Sequence, residues 1–567
     1  MATNKERDEL HRTIWNIANS LRGAVDGWSF KAYVLGAIFY RYISENLCEY
    51  VKKLQEAGGV FDYDYSKTSD EEAEYGRETL VQEKGYFILP SQLFCRIAAN
   101  PEADVNLNIT LSNVFRAIEA SAQGSASEDD LRGLFSDFIV DNSQLGNSLE
   151  DRNKLLAKVL IAVRDMDLGD SFDDTGNDTF GDAYEYLMQM YAANAGKSGG
   201  EFFTPQEVSE LLARLASHDN PKISKVYDPA CGSGSLLMKF ARTEGKKNPN
   251  LKYFGQEINP TTYNLCRINM FLHNINCSNF DIQLGDTLMN PKHFGEKFDA
   301  IVSNPPYSIK WDGKKNPILM NDDRYSPAGV LAPDTKADLA FTMHMLYQLA
   351  ETGTAAIVEF PGVLYRGGAE EKIRHYLLKN NFVDTIIQLP ANLFFGVGIA
   401  TCIIVLRKGK RPDNKVLFID GSEQFVKVGA KNKLTEENQN AIFDAYAKRA
   451  EIQYFSKLVD VATIIENKCN LSVSSYVEQE DKREEIDIAK LNDEIDKLMD
   501  DIIDSSERLD FIIARELGGE KEDARKMIRE GKIKEFMHDF GFLVEEEPAT
   551  DDPEWIEIFK EAGYEFD

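Results

Sequence analysis

Short apolar runs, each followed by a polar loop, dominate the middle of the chain. The first four lie at residues 226–227, 253–258, 280–284 and 298–303, and three more lie at residues 355–360, 383–389 and 401–406. Runs of this length that end at turn-forming residues predict buried strands, and a helix-compatible stretch follows the first of them. The pattern therefore predicts an α/β fold with a doubly wound, mixed sheet of seven strands.

Helical spacing governs the residues before this region. Residues 1–165 repeat apolar side chains at three- and four-residue steps, for example between residues 10 and 21. This spacing predicts an α-helical amino-terminal domain. The polar stretch 165–177 separates it from a predicted α/β domain over residues 166–475.

A different pattern starts after Tyr476. An apolar seam in residues 476–515 advances by alternating steps of three and four residues and is broken only at Ser505. Its members are Ile488, Leu491, Ile495, Leu498, Ile502, Leu509 and Ile512. The seam predicts an amphipathic helix that either forms an intermolecular coiled coil or folds back on its own chain. Residues 516–567 are predicted to form a charged helical segment and an acidic tail, whose interleaved aromatic residues argue against a purely disordered tail.

Composition limits the class of protein. The 567 residues correspond to about three to four domains. No apolar run is long enough to span a membrane, and the chain opens on a polar segment of mixed charge rather than a signal peptide. Seven cysteines without regular spacing are typical of a reducing cytoplasm. The histidines and cysteines show no ligand spacing, and we expect no metal site.

The most informative loop is Asn304-Pro305-Pro306-Tyr307, which follows the fourth apolar run. The two prolines restrict the backbone, so the loop carbonyls are oriented before a ligand arrives. The Asn304 amide oxygen and a loop carbonyl can accept both N–H bonds of an amino group, which favours a pyramidal nitrogen with a free lone pair. Tyr307 can stack on a planar substrate. The alternative is a proline-rich turn with a surface tyrosine.

Polar groups also follow the other three predicted strands. Gly232 and Gly234, after the first strand, let the backbone approach a ligand closely. Glu257 stands at the end of the second strand, where a doubly wound sheet places the acid that binds ribose hydroxyls. Asp286 follows the third strand. Because parallel strands end at one edge of a sheet, we expect these groups to line a common crevice.

These motifs carry a family resemblance. The segment 228–234, Asp-Pro-Ala-Cys-Gly-Ser-Gly, together with residues 304–307, resembles the paired signature of amino-directed, S-adenosylmethionine-dependent methyltransferases. Residues 199–205, Gly-Gly-Glu-Phe-Phe-Thr-Pro, are similar to the segment that covers the methyl donor in modification subunits of type I restriction–modification systems. Residues 255–259, 269–273 and 365–370 also look like that family. The resemblance extends from the amino-terminal helical region to about residue 475.

The resemblance implies a Rossmann-like, seven-stranded methyltransferase domain that methylates N6 of adenine in DNA. It places the flipped adenine, which has to leave the duplex stack, against Asn304, Pro305, Pro306 and Tyr307. It implies contacts to S-adenosylmethionine from Glu201, Phe202, Phe203, Thr204, Pro205, Gln206, Asp228, Gly232, Ser233, Gly234, Ser235, Glu257 and Asp286. In this scheme Glu257 holds the ribose and Asp286 the adenine of the cofactor. A second stacking aromatic could come from Phe394 or Phe395, although we favour plain packing for both.

Net charge bears on the partners. The chain carries 64 Lys and Arg against 94 Asp and Glu, a net charge of −30. A protein that binds double-stranded DNA alone needs a concentrated basic surface. Basic clusters at 310–315 and 407–411 could supply local phosphate contacts, although the second is more simply explained as solvated loop charges. We infer that sequence recognition belongs to another polypeptide. The resemblance implies the same: a specificity subunit, typically serving two modification subunits and contacted through the carboxy-terminal helices, and a restriction subunit for cleavage.

Two other functions fit some of these observations. A protein-glutamine methyltransferase also uses an Asn-Pro-Pro-Tyr loop on a planar amide, but such enzymes are short and lack the 199–205 segment and the long helical flanks. A subunit that has lost catalysis could serve as an assembly scaffold, although its complete set of strand-end residues argues against it.

Overall fold

The computed structural model describes residues 29–167, 179–194, 204–220, 222–245, 247–394, 398–409, 413–429, 431–480 and 488–516, together with a few isolated positions. By its contacts the chain divides into two compact units, Met1–Gln479 and Glu480–Asp567. The predicted boundaries at 165, 475 and 515 stay predictions.

A large, mostly parallel sheet forms the centre of the first unit. In the described residues it has nine strands in the order β11-β8-β6-β7-β5-β4-β1-β2-β3. The strands are β1 Lys225–Asp228, β2 Lys252–Glu257, β3 Phe280–Leu284, β4 Phe298–Ser303, β5 Leu349–Glu359, β6 Val383–Gln388, β7 Cys402–Arg407, β8 Lys415–Asp420 and β11 Ser456–Asp460. A separate hairpin pairs β9 Val426–Val428 with β10 Lys431–Lys433.

All seven predicted apolar runs form strands of this sheet, but the predicted count of seven is wrong. Strand β8 pairs parallel to β6, and β11 pairs antiparallel to β8, so two strands extend the sheet beyond β6. The core of β8 is a buried apolar run that the sequence analysis did not assign. Strand β11 is a half-buried edge strand, for which the apolar signal is weaker.

Strand directions create a crevice at one edge of the sheet. Strands β1 to β5 run parallel, and β7 runs antiparallel between β5 and β6. The chain moves from β1 to β2 and β3 on one side, whereas β4 pairs on the other side of β1. This reversal of strand order is the point at which doubly wound sheets bind ligands, outside the carboxyl ends of the strands.

Helices cover both faces of the sheet. In β1, Val226 packs into one apolar cluster and Tyr227 into the other, as the two-residue period of a strand buried on both faces requires. The surrounding helices are α8 Thr179–Asn194, α9 Gln206–Ser217, α10 Ser235–Phe240, α11 Pro260–Leu272, α12 Asp338–Gln348, α13 Ala369–Lys379, α14 Glu436–Lys448 and α15 Val461–Glu466. Because the helices pack on the faces, the carboxyl ends of the strands are followed by loops.

The amino-terminal region is helical, as its spacing predicted. In the described residues 29–167 it has only helices and their connections: α1 Ser29–Ala57, α2 Asp70–Glu74, α3 Arg77–Lys84, α4 Phe94–Ile97, α5 Leu107–Ser121, α6 Glu128–Leu131 and α7 Leu149–Arg164, with short 3-10 turns. Its apolar side chains continue into the cluster on one sheet face, where Phe39 lies 6.0 Å from Phe271 between ring centres. The helical region therefore shares its core with α11, which follows β2.

The second unit contains a long helix, α16 Ile488–Glu516. This confirms a helix where the heptad seam predicts one. Six seam residues are exposed: Ile488, Leu491, Ile495, Leu498, Ile502 and Leu509. The coiled coil itself stays a prediction. Across the described parts of both units, no helix has the length and apolarity needed to cross a membrane.

Candidate active site

Four polar residues lie along the carboxyl edge of the sheet, at the ends of four adjacent strands. Asp228 ends β1, Glu257 ends β2, Asp286 lies in the turn after β3, and Asn304 directly follows β4. Because β1 lies between β2 and β4, the loops after these strands are neighbours. The structure therefore brings together the four strand ends that the sequence analysis singled out.

The side-chain amide of Asn304 is held on both sides. Its Nδ2 donates to the Thr204 hydroxyl at 3.1 Å. Its Oδ1 accepts from the Tyr307 hydroxyl at 2.6 Å. Thr204 lies just before α9, one hundred residues from Asn304 in the chain. The amide thus has a defined orientation, with its acceptor oxygen towards Tyr307.

A buried acid fixes the turn that follows the Asn-Pro-Pro-Tyr loop. Ser308 has a φ of +53°, in the left-handed region that non-glycine residues rarely adopt. Its N–H donates to Asp338 Oδ1 at 2.8 Å, and Asp338 is the buried first residue of α12. The sequence analysis missed Asp338, for which the only signal was an acid at the start of an apolar helical stretch.

A second buried acid lies below the same loop. Glu359, at the end of β5, is fully buried and accepts from the Thr342 hydroxyl at 2.8 Å. Burial, and then the nearby Asp338 carboxylate, raise the pKa of Glu359 well above its ordinary value. Burial, and then Glu359, likewise raise the pKa of Tyr307 well above its ordinary value. The Tyr307 hydroxyl is therefore protonated at neutral pH and available as a donor.

Asp228 is a buried carboxylate with one unused oxygen. Oδ1 accepts from the Ser303 hydroxyl at 2.8 Å and from the Ala230 N–H at 3.0 Å. Oδ2 is buried and has no hydrogen-bond partner among the described residues. Burial raises the pKa of Asp228 to about 7. A buried acceptor without a donor is costly unless a ligand supplies one, and a cationic N–H donor would suit it best.

The glycine loop after β1 connects this acid to Glu257. Gly232, with a φ of +53°, donates its N–H to Glu257 Oε2 at 2.9 Å, and Asn259 donates its N–H to Oε1 at 2.8 Å. The carbonyl of Ser233 accepts from the Asn269 amide at 3.0 Å. Two backbone donors thus orient the Glu257 carboxylate, whose remaining lone pairs can accept from hydroxyl groups.

Gly234→Ala is expected to distort this loop. Gly234 has a φ of +82°, and a Cβ at this position would lie 2.8 Å from Cys266 Sγ on α11. Left-handed strain and overpacking together should reduce the free energy of unfolding by about 1–3 kcal/mol. Thermal unfolding should be compared with Gly295→Ala, because a Cβ at Gly295 meets no atom within 4 Å. Equal stability of the two variants would contradict the strain argument.

The turn that carries Asp286 is held by an arginine the sequence analysis did not identify. Asp286 Oδ1 accepts from the N–H groups of Leu288 at 2.9 Å and Met289 at 3.2 Å. Arg324, which is almost fully buried, donates to the carbonyls of Thr287 at 3.0 Å and Leu288 at 2.8 Å. Arg324 also forms an ion pair with Asp322, two residues away, but no local pattern links it to these two carbonyls, which lie more than thirty positions away in the chain.

The structure describes the positions of some of the other predicted site residues but not of all. Glu201, Phe202, Phe203 and Phe395 lie outside the described residues. Gln206 begins α9, and its side-chain amide donates to Glu185 of α8. The structure places the remaining residues at the start of α9, at the ends of β1 and β2, at the start of α10 or in the loops that follow these strands and β3: Thr204, Pro205, Gln206, Asp228, Gly232, Ser233, Gly234, Ser235, Glu257 and Asp286. Their contacts with a cofactor stay predictions.

The two prolines and Phe394 contribute to the packing around Tyr307. Pro305 is buried and Pro306 is partly exposed. Phe394 is almost fully buried and meets Tyr307 edge to face, with 6.5 Å between ring centres. An edge-to-face neighbour that is itself buried favours the packing role over the stacking role for Phe394.

Comparison with known protein families distinguishes a DNA adenine methyltransferase from a protein-glutamine methyltransferase. Residues 175–485 match the N-6 DNA Methylase family. The chain belongs to the N-6 DNA methylase family. Residues 10–163 match the HsdM N-terminal domain. These matches confirm the family that the motifs at 228–234 and 304–307 predicted.

Individual relatives agree with this assignment. The chain is 46% identical over 512 residues to the type I restriction enzyme MpnII methylase subunit of Mycoplasma pneumoniae, across 88% of this chain and 94% of the relative. It is 31% identical over 496 residues to the MjaVII methylase subunit of Methanocaldococcus jannaschii, across 85% and 80%. A type I restriction-modification system methyltransferase subunit from Streptococcus thermophilus superposes with a TM-score of 0.75 at 34% identity, across 83% of this chain and 100% of that one.

Proposed function

We propose that the chain transfers a methyl group from S-adenosylmethionine to N6 of an adenine in double-stranded DNA, as the modification subunit of a type I restriction–modification complex. The observation that carries this proposal is the oriented amide of Asn304, bonded to Thr204, directly after β4. The neighbouring strand β1 ends at Asp228, which has one oxygen without a partner among the described residues. Family membership supports the reaction class. The arrangement joins an amine-accepting loop to a cofactor crevice at one edge of the sheet.

The residues around Asn304 act on the substrate amine. An adenine inside a duplex is out of reach, so the base is extruded and stacks on Tyr307. Asn304 Oδ1 and a carbonyl of the 304–307 loop accept hydrogen bonds from the two N6 N–H groups and favour a pyramidal nitrogen. When bound, S-adenosylmethionine would supply an electrophilic methyl group on its sulfonium. These residues would hold the N6 lone pair free to form the N–C bond as the C–S bond breaks; the thioether would leave with the bonding pair, and the N6 proton would pass to solvent.

The cofactor fits the polar groups of the crevice. The buried Oδ2 of Asp228 suits the ammonium group of a methionine moiety. Glu257, oriented by two backbone N–H groups, suits the ribose hydroxyls. Asp286 is proposed to meet the cofactor's adenine. The backbone of residues 232–235 and the segment 201–206 complete the proposed contacts, with Thr204 contributing its backbone because its hydroxyl is bonded to Asn304.

Partner subunits are proposed to supply sequence recognition. The net charge of −30 disfavours independent DNA binding, whereas the loop at 310–315 carries three lysines close to the Asn-Pro-Pro-Tyr loop. We assign recognition of the DNA sequence to a specificity subunit that serves two copies of this chain, and DNA cleavage to a restriction subunit. The complex is proposed to act in the cytoplasm, where the DNA lies. The exposed apolar seam of α16 is the proposed contact with the specificity subunit.

Sequencing of host DNA for N6-methyladenine tests this function. The chain and its specificity partner are expressed together, and each is also expressed alone. We expect methylation at one split, two-part motif only when both are present. Methylation by this chain alone would overturn the delegation of recognition. An absence of any methylated motif, with both proteins soluble and cofactor-bound, would favour a scaffold that has lost catalysis.

A further inference from the structure

Substrate binding requires one particular orientation of the Asn304 amide. A rotation of 180° about the last side-chain bond exchanges the amide oxygen for the amide nitrogen. In one orientation the group accepts a hydrogen bond from an amine N–H, and in the other it presents two donors that repel the amine. A residue that fixes this rotation therefore controls whether the site can work.

Thr204 is placed to fix it. The side chain is buried, and its hydroxyl accepts from Asn304 Nδ2 at 3.1 Å. The following Pro205 confines Thr204 to an extended backbone. The Pro205 carbonyl also accepts from the N–H groups of Val208 and Ser209, both at 3.0 Å, in the first turn of α9. The hydroxyl is thus held on a stiff segment rather than on a free loop end.

The other partner of the amide cannot keep this role once the substrate enters. The Tyr307 hydroxyl donates to Asn304 Oδ1 at 2.6 Å, on the atom that the amine of adenine has to reach. When the base takes this acceptor and the Tyr307 ring stacks on it, the hydroxyl has to release or share Oδ1. The contact to Thr204 lies on the opposite atom of the amide and is compatible with a bound base.

We propose that Thr204 is a positioning residue that holds the Asn304 amide with its oxygen towards the target amine throughout substrate binding and methyl transfer. The inference rests on the proposed function. It differs from a simple cofactor contact, because its effect is on Asn304 and so on the chemical step. It also makes the segment before α9 part of the substrate site as well as of the cofactor site.

Thr204→Val is the deciding variant, since it keeps the shape of the side chain and removes the acceptor. Initial rates are measured on the complex with the specificity subunit, using a duplex that contains the methylated motif, and S-adenosylmethionine binding is measured by calorimetry on the full chain. We expect kcat to fall about tenfold, the effect of one lost orienting hydrogen bond. The Kd for S-adenosylmethionine should stay within about twofold, and Thr204→Ser should restore kcat.

The same substitution is also tested in a Tyr307→Phe variant. In Tyr307→Phe the amide has lost its other partner, so Thr204 alone fixes its rotation. Thr204→Val should then lower kcat by a larger factor than in the wild type, which gives a positive coupling in the double-mutant cycle. Strictly independent effects of the two substitutions would count against a shared role on the Asn304 amide.

A readout that needs no turnover separates this inference from the proposed function. The side-chain NH₂ resonances of Asn304, assigned by their loss in Asn304→Asp, should exchange with solvent at least about tenfold faster in Thr204→Val than in the wild type. Unchanged exchange, or a raised Kd for S-adenosylmethionine with unchanged kcat, would overturn the positioning role. A wild-type complex that shows protected Asn304 protons but no methylation would refute the proposed function alone.

Discussion

Asn304→Ala is expected to lower the rate of methyl transfer by about 10²- to 10³-fold, the usual loss when a group oriented towards the transition state is removed. The amide accepts from the reacting amine only in the geometry that frees the nitrogen lone pair, so its loss acts mainly on kcat. The measurement is the single-turnover rate of methyl incorporation into a duplex of the recognised motif, with saturating cofactor and specificity subunit.

The loss at Asn304 should be confined to chemistry. Asn304 is partly exposed, and its side chain makes only two hydrogen bonds, to the Thr204 and Tyr307 hydroxyls, so the fold and the assembly of the complex should persist. Asn100→Ala is the matched control, because Asn100 is exposed and makes no capping hydrogen bond. Retention of the wild-type rate in Asn304→Ala would move the amine-accepting site away from the 304–307 loop.

The strands and their terminal residues were predictable because their signals are local. Each apolar run ends at a residue that breaks a strand or carries a polar group, and the order of these ends along the chain gives the crevice. Thus Asp228, Glu257, Asp286 and Asn304 could be named from sequence and the structure places them at one sheet edge. Strand β8 carries the same kind of signal, a short apolar core that ends at Asp420 and a Gly-Ser turn, but the sequence analysis did not assign it.

The supports of the site were not predictable in the same way. Arg324 and Glu359 are charged residues that are buried, contrary to their usual exposure. Apart from the ion pair between Arg324 and Asp322, their hydrogen-bond partners are distant in the chain. Asp338 acts on a loop thirty residues away, and Thr204 on a residue one hundred positions away. A single sequence contains no periodicity that reports such contacts. For α16 the sequence predicted the helix. It could not identify what the apolar seam packs against, because that is decided by the surface of the partner.

The affinity for S-adenosylmethionine is expected to fall as the pH drops below 7, through protonation of Asp228. Burial raises the pKa of this carboxyl from 3.8 to about 7. If the ammonium group of the cofactor binds only the ionised form, the Kd should rise about fifteenfold between pH 7 and pH 5.5. This window lies below the pKa of an ordinary α-amino group, about 7.7–8.0, so the cofactor keeps its charge. Calorimetric titrations of the full chain across the window measure the effect.

Asp228→Asn is the control for the pH dependence, and it is also expected to weaken S-adenosylmethionine binding at pH 7. The amide keeps the acceptor for Ser303 and Ala230 but loses the negative charge, so the Kd at pH 7 should rise about 10- to 100-fold, as for a hydrogen bond to a charged group. Its dependence on pH between 5.5 and 7 should disappear. A variant that keeps the fifteenfold change would show that another group titrates.

The raised pKa of Asp228 affects the stability of the cofactor-free protein in the opposite direction: affinity for the cofactor rises with pH, whereas stability falls. Between the unfolded value of 3.8 and the folded value of about 7, the folded state binds more protons at Asp228 than the unfolded state does. The free energy of unfolding contributed by this group therefore falls as the pH rises through that window. Asp228→Asn removes the buried charge, and at pH 8 the variant should be at least as stable as the wild type while binding the cofactor more weakly. A variant that is less stable than the wild type at pH 8 would contradict the argument that the buried charge of Asp228 destabilises the empty protein.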